Sequence, residues 1–370
     1  FQGPASFTGD DCIEFQLHGS RAVVTRLFAA LQKETLCRFA EPGEFIRRAF
    51  ENNKLPLTSV EGIADLIDAR TEAQRKQALS QAGGHLADQA VDWRDQLLDA
   101  LSLLEAEIDF ADEGDAPSAV MPQVRKILSD LQGSLQQALL DAERGERIRS
   151  GFRIALAGHP NAGKSSLMNM LVRRDVAIVS EHAGTTRDVI EVEFDLGGYS
   201  VIIADTAGLR PTSDPVEAIG VERTRQELRK ADLVLWLEDG TSATCDPEYG
   251  EAETIKIATK MDLVVDLPSW AEVGISVKSG FGIETLMGLL TNKAQAALSG
   301  EPPLITNLRQ KACIDAAARH LQKAMSHQDQ ALELVAEDLR RVSHDLEALM
   351  GRIGVEDILG TIFSRFCMGK

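Results

Sequence analysis

One octapeptide in the chain has the residue types and spacing to hold phosphate. Gly158-His159-Pro160-Asn161-Ala162-Gly163-Lys164-Ser165 fits the pattern Gly-x-x-x-x-Gly-Lys-Ser. It follows the apolar run 152–157 and precedes the helical run Ser166 to Val172. A strand before and a helix after are what a phosphate loop requires. Glycines let backbone N–H groups wrap the phosphates, and the helix start adds its positive end. Asn161, Ala162, Gly163 and Ser166 are expected in the cradle. Lys164 is placed to reach the β- and γ-phosphates, and Ser165 to ligate Mg²⁺.

Four further signals name the base and the class. Asp205-Thr206-Ala207-Gly208 follows the apolar run 201–204, which sets Asp205 near Mg²⁺ through water and the Gly208 N–H near the γ-phosphate. Gly184-Thr185-Thr186-Arg187-Asp188 lies between the phosphate loop and that run. Thr185 is expected at the nucleotide, and Thr186 as a second Mg²⁺ ligand from a mobile switch. Thr259-Lys260-Met261-Asp262 resembles the guanine-reading Asn-Lys-x-Asp, with Asp262 accepting from the base. Ser276-Val277-Lys278 resembles the Ser-Ala-Lys loop behind the base, although Ser276 and Lys278 taken singly also read as ordinary loop residues. Order and spacing agree with a small GTPase-type domain binding GTP or GDP. Thr259 offers one hydroxyl where the usual asparagine amide has a donor and an acceptor. Guanine is still favoured, because Lys260 and Asp262 persist. Leu209 stands where Ras-like enzymes carry a water-orienting glutamine, so another group must take that role.

The elements that position these residues fall into four textures. Residues 1–52 are mixed: 12–18 alternate like a strand, 21–31 read as a helix, and Pro42-Gly43 punctuates the end. Residues 53–150 are helical, with Thr58 or Ser59 as a capped start and Leu97, Leu101, Leu104 and Ile108 on one helix face. The acidic run from Glu105 to Asp115 reads as a solvated face and loop. Residues 151–300 alternate strands and helices. The runs 152–157, 201–204 and 233–237 are strands, and 255–258 and 273–275 are weaker candidates. This pattern predicts a mostly parallel sheet covered on both faces. Residues 301–370 return to helix. There Leu332, Val335, Leu339, Val342, Leu346 and Leu349 form a heptad-like seam that suits a bundle core better than a free coiled coil. Neither helical segment covers its own apolar face. The expected fold is therefore a P-loop α/β domain inserted into a helical-bundle domain and preceded by a truncated α+β domain.

Composition narrows the function classes. With 370 residues, 44% hydrophobic and 26% charged, the chain is an ordinary globular one of two or three domains. No stretch approaches the ~18 apolar residues of a membrane span, so no membrane partner is expected. Lys+Arg is 39 against 57 Asp+Glu, a net charge of −18. That argues against a broad phosphate-binding face. Five cysteines with no Cys-x-x-Cys fit neither a disulfide framework nor a zinc site and point to a reducing, cytoplasmic setting. The chain starts at Phe1 without a signal pattern, and an N-terminal piece is expected to be missing.

Asn161, 184–188 and Asp205-Thr206-Ala207-Gly208-Leu209-Arg210 together resemble the bacterial tRNA modification GTPase family MnmE, also called TrmE. Phe7-Thr8-Gly9-Asp10-Asp11, Pro42-Gly43-Glu44-Phe45, Ala49-Phe50, Asn53-Lys54-Leu55, Ala64-Asp65-Leu66-Ile67-Asp68-Ala69 and Phe366-Cys367-Met368-Gly369-Lys370 extend the resemblance over essentially the whole chain. It implies an N-terminal domain (1–52 here) that dimerises and binds 5-formyltetrahydrofolate or a related folate, with Glu14 and Lys54 near that pocket. It implies G domains that meet across the nucleotide with K⁺ in place of an arginine finger, and Asn161 as the K⁺ ligand. The alternative for Asn161 is a turn residue of the loop. Glu217 matches the water-orienting glutamate, although by sequence alone it reads as a solvated acid at a helix start. Arg187 and Arg210 are implied to steady the switches; ordinary surface arginines are the competing reading. Cys367 matches a cysteine needed for modification, with a buried structural cysteine as the blander alternative; Gly369 and Lys370 break a prenylation motif. The implied reaction is modification at carbon 5 of the wobble uridine of tRNA (carboxymethylaminomethyl type). The implied partner is an MnmG-type FAD-binding protein, in a heterotetramer or larger complex built on a homodimer.

Two rivals come from other classes. A GTP-switched ribosome or RNA assembly factor shares the phosphate and switch motifs, but its RNA-binding appendage should be basic, whereas the flanks here are acidic and helical. A P-loop metabolic kinase is disfavoured by Asp262 and Ser276-Val277-Lys278.

Overall fold

The computed structural model describes all residues except 34–36, 110–119, 175–176, 179–189, 206–224, 246, 248–251, 328–331, 354–358, 361, 364–365 and 367–370. Thr185, Thr186, Arg187, Gly208, Arg210, Glu217 and Cys367 therefore lie outside the described residues. The chain divides into two compact units. One comprises Phe1–Asp68, Ala78–Ala142 and Leu304–Lys370; the other comprises Ala69–Gln77 and Glu143–Pro303.

The second unit carries a seven-stranded sheet. Its strands are β1 (Phe152–Gly158), β2 (Ala177–Ile178), β3 (Ile190–Leu196), β4 (Tyr199–Asp205), β5 (Leu233–Asp239), β6 (Glu253–Thr259) and β7 (Val273–Gly274), in the order β2-β3-β4-β1-β5-β6-β7. From β4 to β7 every pairing is parallel. The expected mostly parallel sheet is thus found in its centre, and the two weaker strand candidates both form. The β2–β3 and β3–β4 pairings are antiparallel, so the sheet is mixed. The cause is a two-residue hairpin turn at Gly197 and Gly198, with φ of 65° and 89°. Two consecutive left-handed residues match the twist of the flanking strands, and glycine adopts them without steric cost. Central strands are buried on both faces, and their side chains alternate between two cores. Ile154 and Leu156 join the cluster covered by Leu167, Leu171, Leu286 and Leu290, while Ala155 and Ala157 join Val234, Trp236 and Leu228.

The first unit is helical. Its described helices are α1 (Arg21–Leu31), α2 (Glu44–Glu51), α3 (Leu57–Asp68), α5 (His85–Asp109), α6 (Val120–Leu140), α10 (Leu308–Ser326) and α11 (Leu332–Met350). The second unit holds α7 (Ala142–Ser150, which begins one residue earlier), α8 (Lys164–Val172) and α9 (Ile283–Leu298), and α4 (Glu72–Ala82) starts within it. Leu97, Leu101 and Leu104 of α5 share one core with Val335, Leu339, Val342, Leu346 and Leu349 of α11. Helices from both sides of the sheet segment thus bury one another's apolar faces, and the heptad-like seam is a bundle core. Arg309 ties this unit together. Its guanidinium makes two bonds to Glu61, at 2.7 and 2.8 Å, and donates to the carbonyls of Ala348 and Leu349, which end α11. A cation satisfying terminal carbonyls is a C-cap supplied from another helix.

Three local expectations change. Residues 12–18 form no strand, with Ile13 82% exposed. No described strand runs beside them, and alternation without a ladder partner does not make a strand. Two helices and no strand are found among the described residues of 1–52, so the α+β reading of that segment reduces to helix. Helix α3 begins at Leu57, directly after Pro56. Thr58 and Ser59 are buried inside it, and neither is the cap. Pro42-Gly43 opens a helix as well: Gly43, at φ 66°, sits at the start of α2. No helix among the described residues is long and apolar enough to cross a membrane.

Candidate functional site

The phosphate loop leaves β1 at Gly158, whose φ is 133°. A Cβ there would stand 2.0 Å from the Leu237 carbonyl oxygen, so only glycine fits against β5. Asn161 (φ 64°) and Gly163 (φ 96°) take left-handed turns, which asparagine and glycine tolerate best. The loop then enters α8, with Gly163 at the N-cap position. Ala162 is buried, while the Asn161, Ser165 and Ser166 side chains are exposed on the mouth of the loop.

Lys164 is buried and donates to the carbonyls of Gly158 and His159 at 2.9 and 3.0 Å. It therefore folds back across its own loop, where phosphate oxygens would compete for the same protons. Burial lowers its pKa, against the pull of Asp205 and Glu238. Ser165 Oγ donates to Asp205 Oδ2 at 2.9 Å. Burial raises the pKa of Asp205, opposed by that hydrogen bond and by Lys164. A hydroxyl from α8 and a carboxylate from the end of β4 supply two hard oxygens beside the loop. That donor set fits Mg²⁺, which takes one or two protein oxygens and completes its shell with waters and phosphate. No group of three or more His, Cys, Asp or Glu suited to a metal exists among the described residues.

The loops expected to read the base follow β6 and β7. Lys260, at φ 56°, turns the chain and donates to Asp239 Oδ2 at 2.7 Å. Asp262 Oδ1 accepts from Ser276 Oγ at 2.7 Å, and Lys278 lies 3.8 Å from its other oxygen. The Ser276 bond, foremost, holds the Asp262 carboxyl below its ordinary pKa. Asp262 is thus a fixed, ionised acceptor. Ser276 is fully buried, and its backbone and hydroxyl organise the turn to Phe281. Thr259 is buried, and its hydroxyl donates to the Glu238 carbonyl at 3.1 Å. It ties β6 to β5 and lies 3.9 Å from where a Gly163 Cβ would stand.

Two residues of this site escape a reading by motif. Asp239 anchors Lys260, and Glu238 holds His159 and faces Lys164. Both end β5, which marks the carboxyl edge of the sheet, and that position was the available signal.

Glu14 and Lys54 belong to the other unit. Glu14 is exposed on the segment before α1, and Lys54 Nζ donates to the Pro4 carbonyl at 2.8 Å.

The family model described as "MnmE helical domain" matches residues 57–367, and that described as "GTP-binding protein TrmE N-terminus" matches residues 1–54. A protein described as tRNA modification GTPase MnmE from Caulobacter vibrioides is 49% identical over 385 residues, covering 100% of this chain and 86% of that protein. One of the same description from Rhodopseudomonas palustris is 48% identical over 376 residues, covering 100% and 85%. Among solved structures, Aquifex aeolicus Era bound to GDP·AlF4⁻ is 25% identical and covers 45% of this chain and 66% of that one, with a TM-score of 0.33.

Proposed function

Because the chain belongs to the MnmE family of tRNA modification GTPases, we propose that it couples GTP hydrolysis at the β1–α8 loop to modification of carbon 5 of the wobble uridine. It is a GTPase acting in tRNA modification. The observation that carries the site is the convergence of Lys164, Ser165 and Asp205 on one loop, with the Ser276-held Asp262 carboxylate on the neighbouring strand ends.

The residues divide the work. Backbone N–H groups of 161–166 and the start of α8 hold the phosphates. Lys164 neutralises charge that builds on the β–γ bridge. Ser165, Asp205 and Thr186 would hold Mg²⁺, which supplies charge at the β- and γ-oxygens when bound. Asp262 accepts from the guanine, and Ser276, Lys278, Thr259 and Lys260 shape that loop. Thr185 and the Gly208 N–H contribute from the switches. In this reading Asn161 holds K⁺, Glu217 orients the attacking water, and Arg187 and Arg210 steady the switches. Leu209 cannot orient water, which supports assigning that role elsewhere.

The modification chemistry rests on an MnmG-type FAD-binding partner and a folate one-carbon donor near Glu14, Lys54 and Cys367. Two copies of the chain act within a heterotetramer or larger complex, in the cytoplasm where tRNA is met. The helical unit with the G domain inserted is the frame that transmits switch ordering. A charge of −18 fits a division in which the partner supplies much of the tRNA contact.

Turnover in K⁺ against Na⁺ tests the hydrolysis centre. Stimulation by K⁺ and loss in Glu217→Ala are expected; equal rates in both salts overturn the K⁺ assignment. Nucleoside analysis of tRNA from a strain lacking the gene, complemented with wild type or Cys367→Ser, tests the reaction. Survival of the wobble modification in the null strain overturns the reading.

A further inference from the structure

One well-bonded side chain at the carboxyl edge of the sheet belongs to no nucleotide motif. Glu238 is 8% exposed at the end of β5. Its Oε2 meets His159 Nδ1 at 2.5 Å, and its Oε1 accepts from Ser242 Oγ at 3.1 Å. Its backbone carbonyl accepts the Thr259 hydroxyl at 3.1 Å. His159 is the second residue of the phosphate loop, and its own carbonyl is one of the two that hold Lys164 Nζ. Its ring also stands edge-on to Trp236, with centroids 6.0 Å apart. The first turn of the loop is therefore gripped from β5 on its side-chain face, while its carbonyl face aims at the lysine.

A carboxylate beside an anion-binding loop repels phosphate. Such a buried charge is tolerated when it is fully hydrogen-bonded, as this one is. What it supplies is position: through His159 it fixes the backbone whose carbonyls hold Lys164, while the Glu238 backbone carbonyl separately accepts the Thr259 hydroxyl of β6. Resting on the GTPase reading above, we propose that Glu238 is a positioning residue for nucleotide binding, acting through His159 on the loop that carries Lys164. Lys164 meets the phosphates in the bound nucleotide and the charge that builds on the β–γ bridge in the reaction, so the loss of its positioning acts on binding and on the chemical step together.

The test is GDP and GTP affinity of the full chain, followed by calorimetry, with steady-state kinetics alongside. Glu238→Ala and His159→Ala are each expected to raise Kd about tenfold and to lower kcat/KM by at least about tenfold. The double variant should lose no more than either single one, because both remove the same contact. Glu238→Gln keeps an acceptor for His159 without the charge and should recover most of the loss, as should His159→Asn, which keeps a donor near the Nδ1 position. Affinity in Glu238→Ala within twofold of wild type overturns the proposal. So does Glu238→Gln as weak as Glu238→Ala, or full additivity in the double variant. Should Glu238→Ala fail to fold, Glu238→Gln with His159→Asn and His159→Ala decides the case. Failure of the wild-type chain to bind GDP would overturn the GTPase reading instead, a separate outcome.

Discussion

Ser165 Oγ donates to Asp205 Oδ2 at 2.9 Å, so the first turn of α8 and the last residue of β4 are joined by one hydrogen bond where the metal of a GTPase belongs. Asp205→Asn keeps a partner for Ser165 but removes the charge. The Mg²⁺ concentration needed for half-maximal GTP hydrolysis should rise about 10- to 100-fold, the usual cost of losing an outer-sphere carboxylate. GDP affinity without Mg²⁺ should change little. An unchanged Mg²⁺ requirement would remove Asp205 from the metal's surroundings.

Under the proposed function Asp262 accepts from guanine, and one of its carboxylate oxygens already accepts from Ser276 Oγ. Asp262→Asn replaces one acceptor with a donor. GTP affinity should fall about 10- to 100-fold, the cost of a charged hydrogen bond together with a mispaired group. Xanthine nucleotides, which carry an acceptor where guanine has its amino group, should bind the variant better than the wild type. Competition measurements with GTP and XTP check both halves.

Arg309 and Glu61 form a bidentate pair with side chains 15% and 10% exposed, and Gln310 Nε2 adds a third bond to Glu61 at 2.8 Å. Removing one partner strands the other in a poorly solvated site. Arg309→Met or Glu61→Leu alone should destabilise the helical unit by about 3–5 kcal/mol, and the double replacement should cost clearly less. Urea unfolding followed by far-ultraviolet circular dichroism gives the comparison, with the helical transition separated from that of the sheet unit.

Glu44 is held by Arg38 at 2.7 and 2.8 Å, by Arg48 at 2.8 Å and by the Glu41 N–H, which bring its carboxyl from 4.5 down to about 2. A depressed carboxyl pKa stabilises the fold only while the group is ionised. Its contribution is complete above about pH 4.5 and is lost as pH falls toward about 2. Glu44→Gln should therefore be less stable than wild type at pH 6, and the gap should close by pH 2–3. Unfolding at stepped pH, with salt held constant, reads this directly. A gap that stays constant with pH would assign Glu44 a packing role.

Local structure followed from local spacing. A strand, a glycine-rich turn and a helix at 152–172 are contiguous, so the phosphate loop is legible without tertiary information. The apolar periodicity of 97–108 and 332–349 was equally legible, because one helix face repeats every three or four residues. Only the tertiary structure decided how distant segments meet. Residues 12–18 alternate but find no ladder partner, and Ile190–Leu196 becomes an antiparallel strand through a glycine pair whose turn geometry is set by strand twist. Thr58 and Ser59 look like caps, yet the helix starts before them because Pro56 can precede it without an N–H to lose. Glu238 and Asp239 carry no motif at all. Their part in the site follows from β5 lying between β1 and β6, which brings His159 and Lys260 to the same sheet edge. Pairing across 79 and 21 residues of sequence is a property of sheet order, and sheet order is settled by the burial of both faces of the central strands, not by local pattern.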